Sequence, residues 1–315
     1  DYDFEGSALS TLIDTLAYNT YYTAFNTNMV VNELFIDSAT LRDNVVAIAK
    51  QLGYRPKSAT APTAYVSFTA TYVNPTTDTE LNLKAGTGFV ANYDETLYQY
   101  VVTDDVKGQV ANDVATFTNV PVREGTYITN TFTVNTALKS QRFVLDNRNI
   151  DTNTIRVKVY PTGGSLNEQY LRADNILDVD GTSKVFFIDE IEDERYEILM
   201  GDGVLGKKLE NGSRIEVSYV TTSGSASNGV RSFVFSGVFE NNNGVTPNVN
   251  VSITSTVASA GGEEIETTAS IKYTAPKAYG TQDRAVTAQD YSAIVRRVYP
   301  ATSDIIIFGG EEQDP

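Results

Sequence analysis

From Ala61 onward the apolar residues of this chain fall at every second position instead of every third or fourth. That change of period restricts the fold more than any other feature. Side chains of an extended chain alternate between two faces, whereas those of a helix return to one face every three to four residues. AYVSFTATYV from Ala64, FTNVPV from Phe117, YITNTFTVN from Tyr127, RFVLD from Arg142 and TIRVKVY from Thr154 read as strands. KVFFIDE from Lys184, RYEILM from Arg195, RIEVSYV from Arg214, RSFVFSGVF from Arg231 and VNVSITSTVAS from Val249 continue the series. Gly, Asn-Pro and Asp clusters punctuate them, and LNLKAGTGFVANY places two glycines where a tight corner belongs. No long amphipathic helix lies between these strands to carry a parallel crossover, so antiparallel pairing is expected.

Both ends of the chain read as helical. Leu9, Leu12, Ile13 and Leu16 recur at helical spacing, and Leu41, Val45, Ile48, Ala49 and Leu52 do so again. For the second helix, Ser38 or Thr40 is the expected cap, Asp43 the first-turn acid, and Gly53 with Pro56 the stop. The intervening NTYYTAFNTNMVV is rich in weak helix formers and reads either as the middle of one long helix or as a break between two. Near the other end, GGEEIETTASIKYTAP reads as a Gly break, an acidic first turn, about two helical turns and a Pro stop. VTAQDYSAIVRRVYP has Thr287 and Asp290 as a cap pair, then Ile294, Val295 and Val298 on an apolar face, with Arg296 and Arg297 near the end. DIIIFGG reads as a buried strand.

The expected architecture is α+β and mainly antiparallel β: several small β domains between helical N-terminal and C-terminal segments, elongated and multidomain. The divisions read as a helical segment at 1–60, a β domain at 61–160, a second β domain with the GDG hairpin at 161–240, and a truncated α+β domain at 241–315. The chain opens at Asp1 and stops at Pro315 just after a strand signal, which reads as a fragment of a longer polypeptide.

Composition removes most chemistries. With no Cys there is no disulfide, thiolate nucleophile or zinc-thiolate site, and with no His the commonest general base and metal ligand are missing. A formal charge of −16 disfavours nucleic acid and anionic membranes as partners. No segment approaches the ~20 apolar residues of a membrane span.

One stretch invites a nucleotide reading. Gly201-Asp202-Gly203-Val204-Leu205-Gly206-Lys207 fits G-x-G-x-x-G and comes within one residue of a P-loop. A dinucleotide site needs a helix opening at the third glycine and an acid about 20 residues on. Here Asn211-Gly212 turns the chain within six residues of Gly206, and no Asp or Glu lies between Val220 and Phe239. A P-loop needs Ser or Thr after its lysine, and position 208 is Lys. Gly201, Asp202, Gly203 and Gly206 therefore read as a structural turn, and no cofactor, small-molecule substrate or metal is expected.

Glu263, Glu264 and Glu266 can offer oxygens to a hard cation, but acids at a helix start also offset its dipole without a ligand. The opening Asp1-Tyr2-Asp3-Phe4-Glu5-Gly6 imitates a calcium loop, yet Leu12 stands where a bidentate Glu is needed. Tyr18, Tyr21 and Tyr22 can stack on sugars or pack on a partner helix. Arg296-Arg297 can face an acidic neighbour or simply end a helix.

YEILMGDGVLGKKLENGSRIEVSYVTTSGSASNG, with its GDG, later Gly, I-x-V-x-Y strand and closing G-N stretch, resembles the baseplate J-like proteins of contractile phage tails. NELFIDSATLRDNVVAIAKQLGYRPKSATAPTAYVSFTA, LNLKAGTGF, and the run from Gly261-Gly262 through Glu266-Thr267, Ala275-Pro276 and Arg284–Thr287 to Asp290-Tyr291 resemble further signatures of that family, in the family's order. The resemblance, strongest to its wedge-forming members, implies a virion protein of the tail baseplate, assembled in the host cytoplasm, with no catalytic residues. It implies homodimers that join into a ring around the hub, contact other wedge proteins and keep the baseplate together during sheath contraction. The family continues past the Asp-Tyr helix and the strand after it, which implies an incomplete C-terminal interface here. Candidate interface residues are Leu9, Leu12, Ile13 and Leu16 at one end and Ile294, Val295, Arg296, Arg297 and Val298 at the other. The competing readings are a β-rich receptor- or glycan-binding virion protein, which calls for aromatics at loop tips, and a paired-carboxylate enzyme, which calls for acids facing across a cleft.

Overall fold

A computed structural model describes residues 8–138, 141–164, 166–173, 179–281, 284–298 and 305–308. It divides into two compact units, one formed by Asp1–Pro56 with Glu266–Pro315 and one by Lys57–Ile265.

The first unit is helical. The run left open in the sequence is continuous helix: α1 spans Ala8–Glu33 without a break. Thr15, Thr20, Thr23 and Thr27 each turn their hydroxyl back onto the carbonyl four residues earlier, at 2.8 Å, which satisfies these weak helix formers within the helix itself. Helix α2 spans Arg42–Gln51, with Asp43 in its first turn and Gly53 at φ +78° after its end. Its expected caps are otherwise employed. Ser38 donates to the Asn32 carbonyl, and Leu41 stands at the N-cap without a side-chain bond. The carboxylate of Glu33, at the end of α1, takes over: it accepts the Thr40 N–H at 2.8 Å, the Thr40 hydroxyl at 2.6 Å and the Asn44 amide at 2.8 Å, and it also receives the Leu41 N–H.

Helix α3 covers Thr268–Thr281 and runs through Pro276, where a stop was expected. An interior proline costs about 3 kcal/mol. Burial offsets it, because Ile271 and Ala275 are fully buried with Val45, Val46 and Ala49 of α2 in one core. The expected acidic first turn is also absent, since the helix begins after the acids. Helix α4 spans Ala288–Val298 and keeps its expected capping box: Asp290 accepts the Thr287 N–H at 2.8 Å, and the Thr287 hydroxyl accepts the Asp290 N–H. Ile305–Phe308 form no strand; they pair with no other described strand, and Ile306 and Phe308 are exposed.

The second unit is built from two sheets, mainly antiparallel. The strands are β1 (Thr63–Tyr72), β2 (Glu80–Leu83), β3 (Gly88–Tyr93), β4 (Thr96–Val101), β5 (Val106–Ala111), β6 (Val114–Glu124), β7 (Thr126–Thr133) and β8 (Phe143–Leu145). They continue with β9 (Ile150–Tyr160), β10 (Glu168–Arg172), β11 (Val185–Ile191), β12 (Arg195–Met200), β13 (Arg214–Thr221), β14 (Val234–Phe235), β15 (Phe239–Asn241) and β16 (Val249–Ala260). The first sheet runs β14-β3-β4-β6-β5-β2-β15, with β1 laid between β6 and β16. The second runs β7-β13-β9-β10-β11-β12-β8. RSFVFSGVF, expected as one strand, is split into β14 and β15 around Gly237, where any side chain would collide with Thr87. Pairing is antiparallel except between β10 and β11, whose short parallel register joins Leu171 to Val185.

In the first sheet's core, Phe68 stacks on Phe117 at 4.7 Å between centroids and meets Phe89 edge-on at 5.5 Å, with Phe239 also in contact range. The second core gathers Leu145, Ile150, Val157, Ile198, Ile215, Val217 and Tyr219, all fully buried. Buried carboxylates tie the sheets together. Asp151 of β9 accepts the Ala61 N–H at 3.0 Å and pairs with Arg123 of β6, and Glu124 accepts Thr222 and Ser223 hydroxyls at 2.6 and 2.8 Å. Each would be costly to bury without these donors.

The aromatic cluster sets a first expectation. Phe68→Ala lowers unfolding free energy by about 3–5 kcal/mol, since the ring is wholly enclosed and its cavity is walled by other rings. Denaturant titration of both proteins measures this.

Candidate functional site

Among the described residues, helix α1 carries the longest run of exposed apolar side chains. Leu9, Leu12, Ile13 and Leu16 lie together on one side of its first half, with Leu12 57% exposed. Tyr18, Tyr22, Phe25 and Met29, spaced four, three and four apart, form a second exposed stripe about half a turn round the helix from the first. Tyr18 and Tyr21 both lean on Tyr22, with ring centroids 5.2 and 5.8 Å apart. Val30, Val31, Leu34 and Phe35 extend the exposed apolar surface toward α2. Sequence reading found the first stripe and the tyrosines. It missed Phe25 and Met29, although their spacing from Tyr18 and Tyr22 was a readable signal.

The other candidate interface residues sit on α4. Ile294 and Val295 are half-buried there, while the side chains of Arg296, Arg297 and Val298 lie outside the described residues. The calcium-like opening of the chain lies outside them as well, apart from Leu12 on α1.

The glycine loop has a definite geometry. Gly201 admits no Cβ, because one would stand inside the backbone of Gly206, and Gly203 and Gly206 hold φ +98° and +87°. Asp202 accepts the N–H groups of Leu205 and Val204 at 2.9 and 2.8 Å, and these bonds, Leu205 first, hold its carboxyl below the ordinary aspartate value. Gly203 N–H donates to the Gly206 carbonyl, Gly206 N–H to Asp180, and Lys207 N–H to Ser183, at 2.7–3.0 Å. The amides that a phosphate cradle would use are thus bonded within the protein. Lys207 meets the Glu168 carboxylate at 2.8 Å, and that bond raises its pKa. No helix follows the loop. Nor is it a hairpin, as its sequence suggested: β12 pairs with β11 and β8, and β13 with β7 and β9, so the loop carries the chain past three intervening strands. Local pattern marks a turn but not which strands it joins.

The acids before α3 have separate partners. Glu263 makes a backbone bridge to Thr60, Glu264 accepts from Ser225, and Glu266 accepts the Tyr54 hydroxyl at 2.8 Å and the Ser270 hydroxyl at 2.7 Å. Among the described residues no three Asp or Glu side chains cluster as metal ligands would, and no helix is long and apolar enough to cross a membrane.

Residues 1–54, which contain all of α1 and α2, match the helical domain of gp6-like baseplate wedge proteins. Over that segment the chain is similar to the gp6-like baseplate wedge proteins. It is also similar along most of its length to the baseplate wedge protein gp6 of Enterobacteria phage T4, with 28% identity over 314 residues, covering 94% of this chain. It spans about half of that relative, 46% of its length. The wedge family therefore meets this fold at its most exposed helix, and the resemblance read from the glycine loop and the Asp-Tyr helix leads to the same proteins.

Glu33 is the residue of this region that sequence reading had no means to find, because its partners lie seven to eleven positions ahead and on no common helical face. Its bonds, that from the Thr40 hydroxyl foremost, lower its pKa from 4.5 to about 2. A depressed carboxylate stabilises above its unfolded value and loses that contribution as pH falls through the folded one. The melting-temperature difference between the parent and Glu33→Gln should be constant above about pH 5 and vanish toward about pH 2. Calorimetry across that range measures it.

Proposed function

We propose that this chain is a structural subunit of a contractile-tail baseplate wedge, acting by contact and without catalysis. In this reading copies pair as homodimers, and the pairs join into a ring around the hub with other wedge proteins. The ring holds the baseplate together while the sheath contracts, and the protein resides in the virion tail after assembly in the host cytoplasm. The observation that carries the proposal is α1, a helix of 26 residues whose large apolar side chains are exposed, within the segment that matches the wedge family. Thr, Asn, Tyr and Val make a poor helix in water, and isolated helices gain most of their stability from packing. A partner surface that covers both stripes supplies that packing.

The same reading accounts for the four threonines of α1, whose hydroxyls are satisfied internally and so ask nothing of a partner. It also fits the glycine loop, whose donors are consumed in holding the turn.

The test is a paired substitution. Leu12→Glu with Leu16→Glu alters only exposed positions, so the sheets keep their melting temperature. Sedimentation at micromolar concentration should then show self-association weakened at least about tenfold, and complementation should yield few complete baseplates. A parent protein that is strictly monomeric, together with a variant that assembles normally, contradicts the proposal.

A further inference from the structure

The longest strand of the first sheet, β16, is bonded to β1 on one side. Its outer side is covered only near its end, where Ser259 exchanges backbone bonds with Gly229 and Val230 at 2.7 and 2.9 Å and the Thr256 hydroxyl reaches Arg231. Over Val249–Ile253 no backbone partner occupies that outer side among the described residues. Unpaired sheet edges are usually blunted by charge, Pro or bulges. Here Pro247 and the bulge beside Ile253 only bound the open stretch, and no charged residue occurs from Asn241 to Gly262 in a chain that is 20% charged.

We infer that the open edge Val249–Ile253 is a self-pairing surface, at which a second copy of this chain adds its own β16 in antiparallel register centred on Val251. The strand is self-complementary in that register. A two-fold axis through Val251 sets Val249 opposite Ile253 of the second copy on the core-facing side, where both already pack against the buried cluster. It sets Asn250 opposite Ser252 on the solvent side, where both are exposed. Charge selects the occupant. Two bodies of −16 repel wherever acidic surfaces meet, and a long uncharged edge strand that is complementary to itself is a place where they can approach. The inference names a surface for the self-association proposed above and is independent of α1.

The chain has no Cys, so single thiols report the register without background. Opposed residues of an antiparallel pair have Cα atoms about 4.5–5.5 Å apart, within disulfide reach, whereas each residue stands beyond about 7 Å from its own copy when displaced from the axis. Under mild oxidation, a mixture of Asn250→Cys and Ser252→Cys proteins should form cross-linked heterodimers at least about tenfold faster than either alone. Asn250→Lys with Ser252→Lys, both at exposed positions, should raise the dimer dissociation constant at least about tenfold, since like charges then face each other twice. Mixing Asn250→Lys protein with Ser252→Glu protein should favour heterodimers over either homodimer, since only in the mixed pair does a lysine face a glutamate. Equal cross-linking in the mixture and the single proteins, or an unchanged constant for the double-lysine protein, overturns the inference. If the edge variants change nothing while the α1 variant dissociates the protein, the edge inference falls and the proposed function stands. If the edge cross-links form while the α1 variant changes nothing, the edge inference holds.

Discussion

A helix of this composition cannot be stable in water by itself, and that constraint governs the N-terminal part of the protein. Over Ala8–Glu33 the chain offers Thr, Asn and Tyr in place of strong helix formers, and few of its apolar side chains are covered. Local devices help. Four threonine hydroxyls close onto the preceding turn, and Glu33 carries its charge to the start of α2, where it accepts the backbone N–H groups of Thr40 and Leu41. None of these buries apolar surface, and in the proposed reading the hydrophobic stabilisation of α1 comes from a partner surface.

The β unit solves the same problem internally. Its two cores close over rings and branched side chains, and Asp151 and Glu124 are buried only where donors from the neighbouring sheet meet them. The glycine loop belongs with these devices: its amides donate to Asp202 and to the carbonyls of Gly206, Asp180 and Ser183, and the lysine that suggested phosphate binding is paired with Glu168. A sequence resembling a nucleotide loop can therefore serve a crossing between strands. The wedge similarity and this self-contained loop favour a protein whose surfaces, and not its clefts, carry its role.

Much of the architecture was legible where a local signal carries it. Alternation located β1, β6, β7, β9, β11, β12, β13 and β16, and the Thr287–Asp290 box marked the start of α4. What escaped is non-local. β10 is short and lies parallel to β11, and the partner of β1 is β16, nearly two hundred residues away. Pro276 is a stop signal in the local sequence, yet Ile271 and Ala275 pack against α2 and the helix runs through. Glu33 was invisible because its role depends on the fold of the α1–α2 turn. Of the candidate site, Leu9, Leu12, Ile13 and Leu16 were visible in the sequence as an apolar stripe, but a stripe does not say whether the same chain covers it.

Hydrogen exchange followed by mass spectrometry, at rising protein concentration and then with the other wedge components present, tests the dependence of α1 on a partner most directly. The account predicts that α1 amides exchange fast in the dilute protein and become protected as association proceeds, while protection in β1, β6 and β13 stays constant. If α1 is as protected as those strands at the lowest concentration, and gains nothing from added partners, the helix is stable alone and the account is wrong.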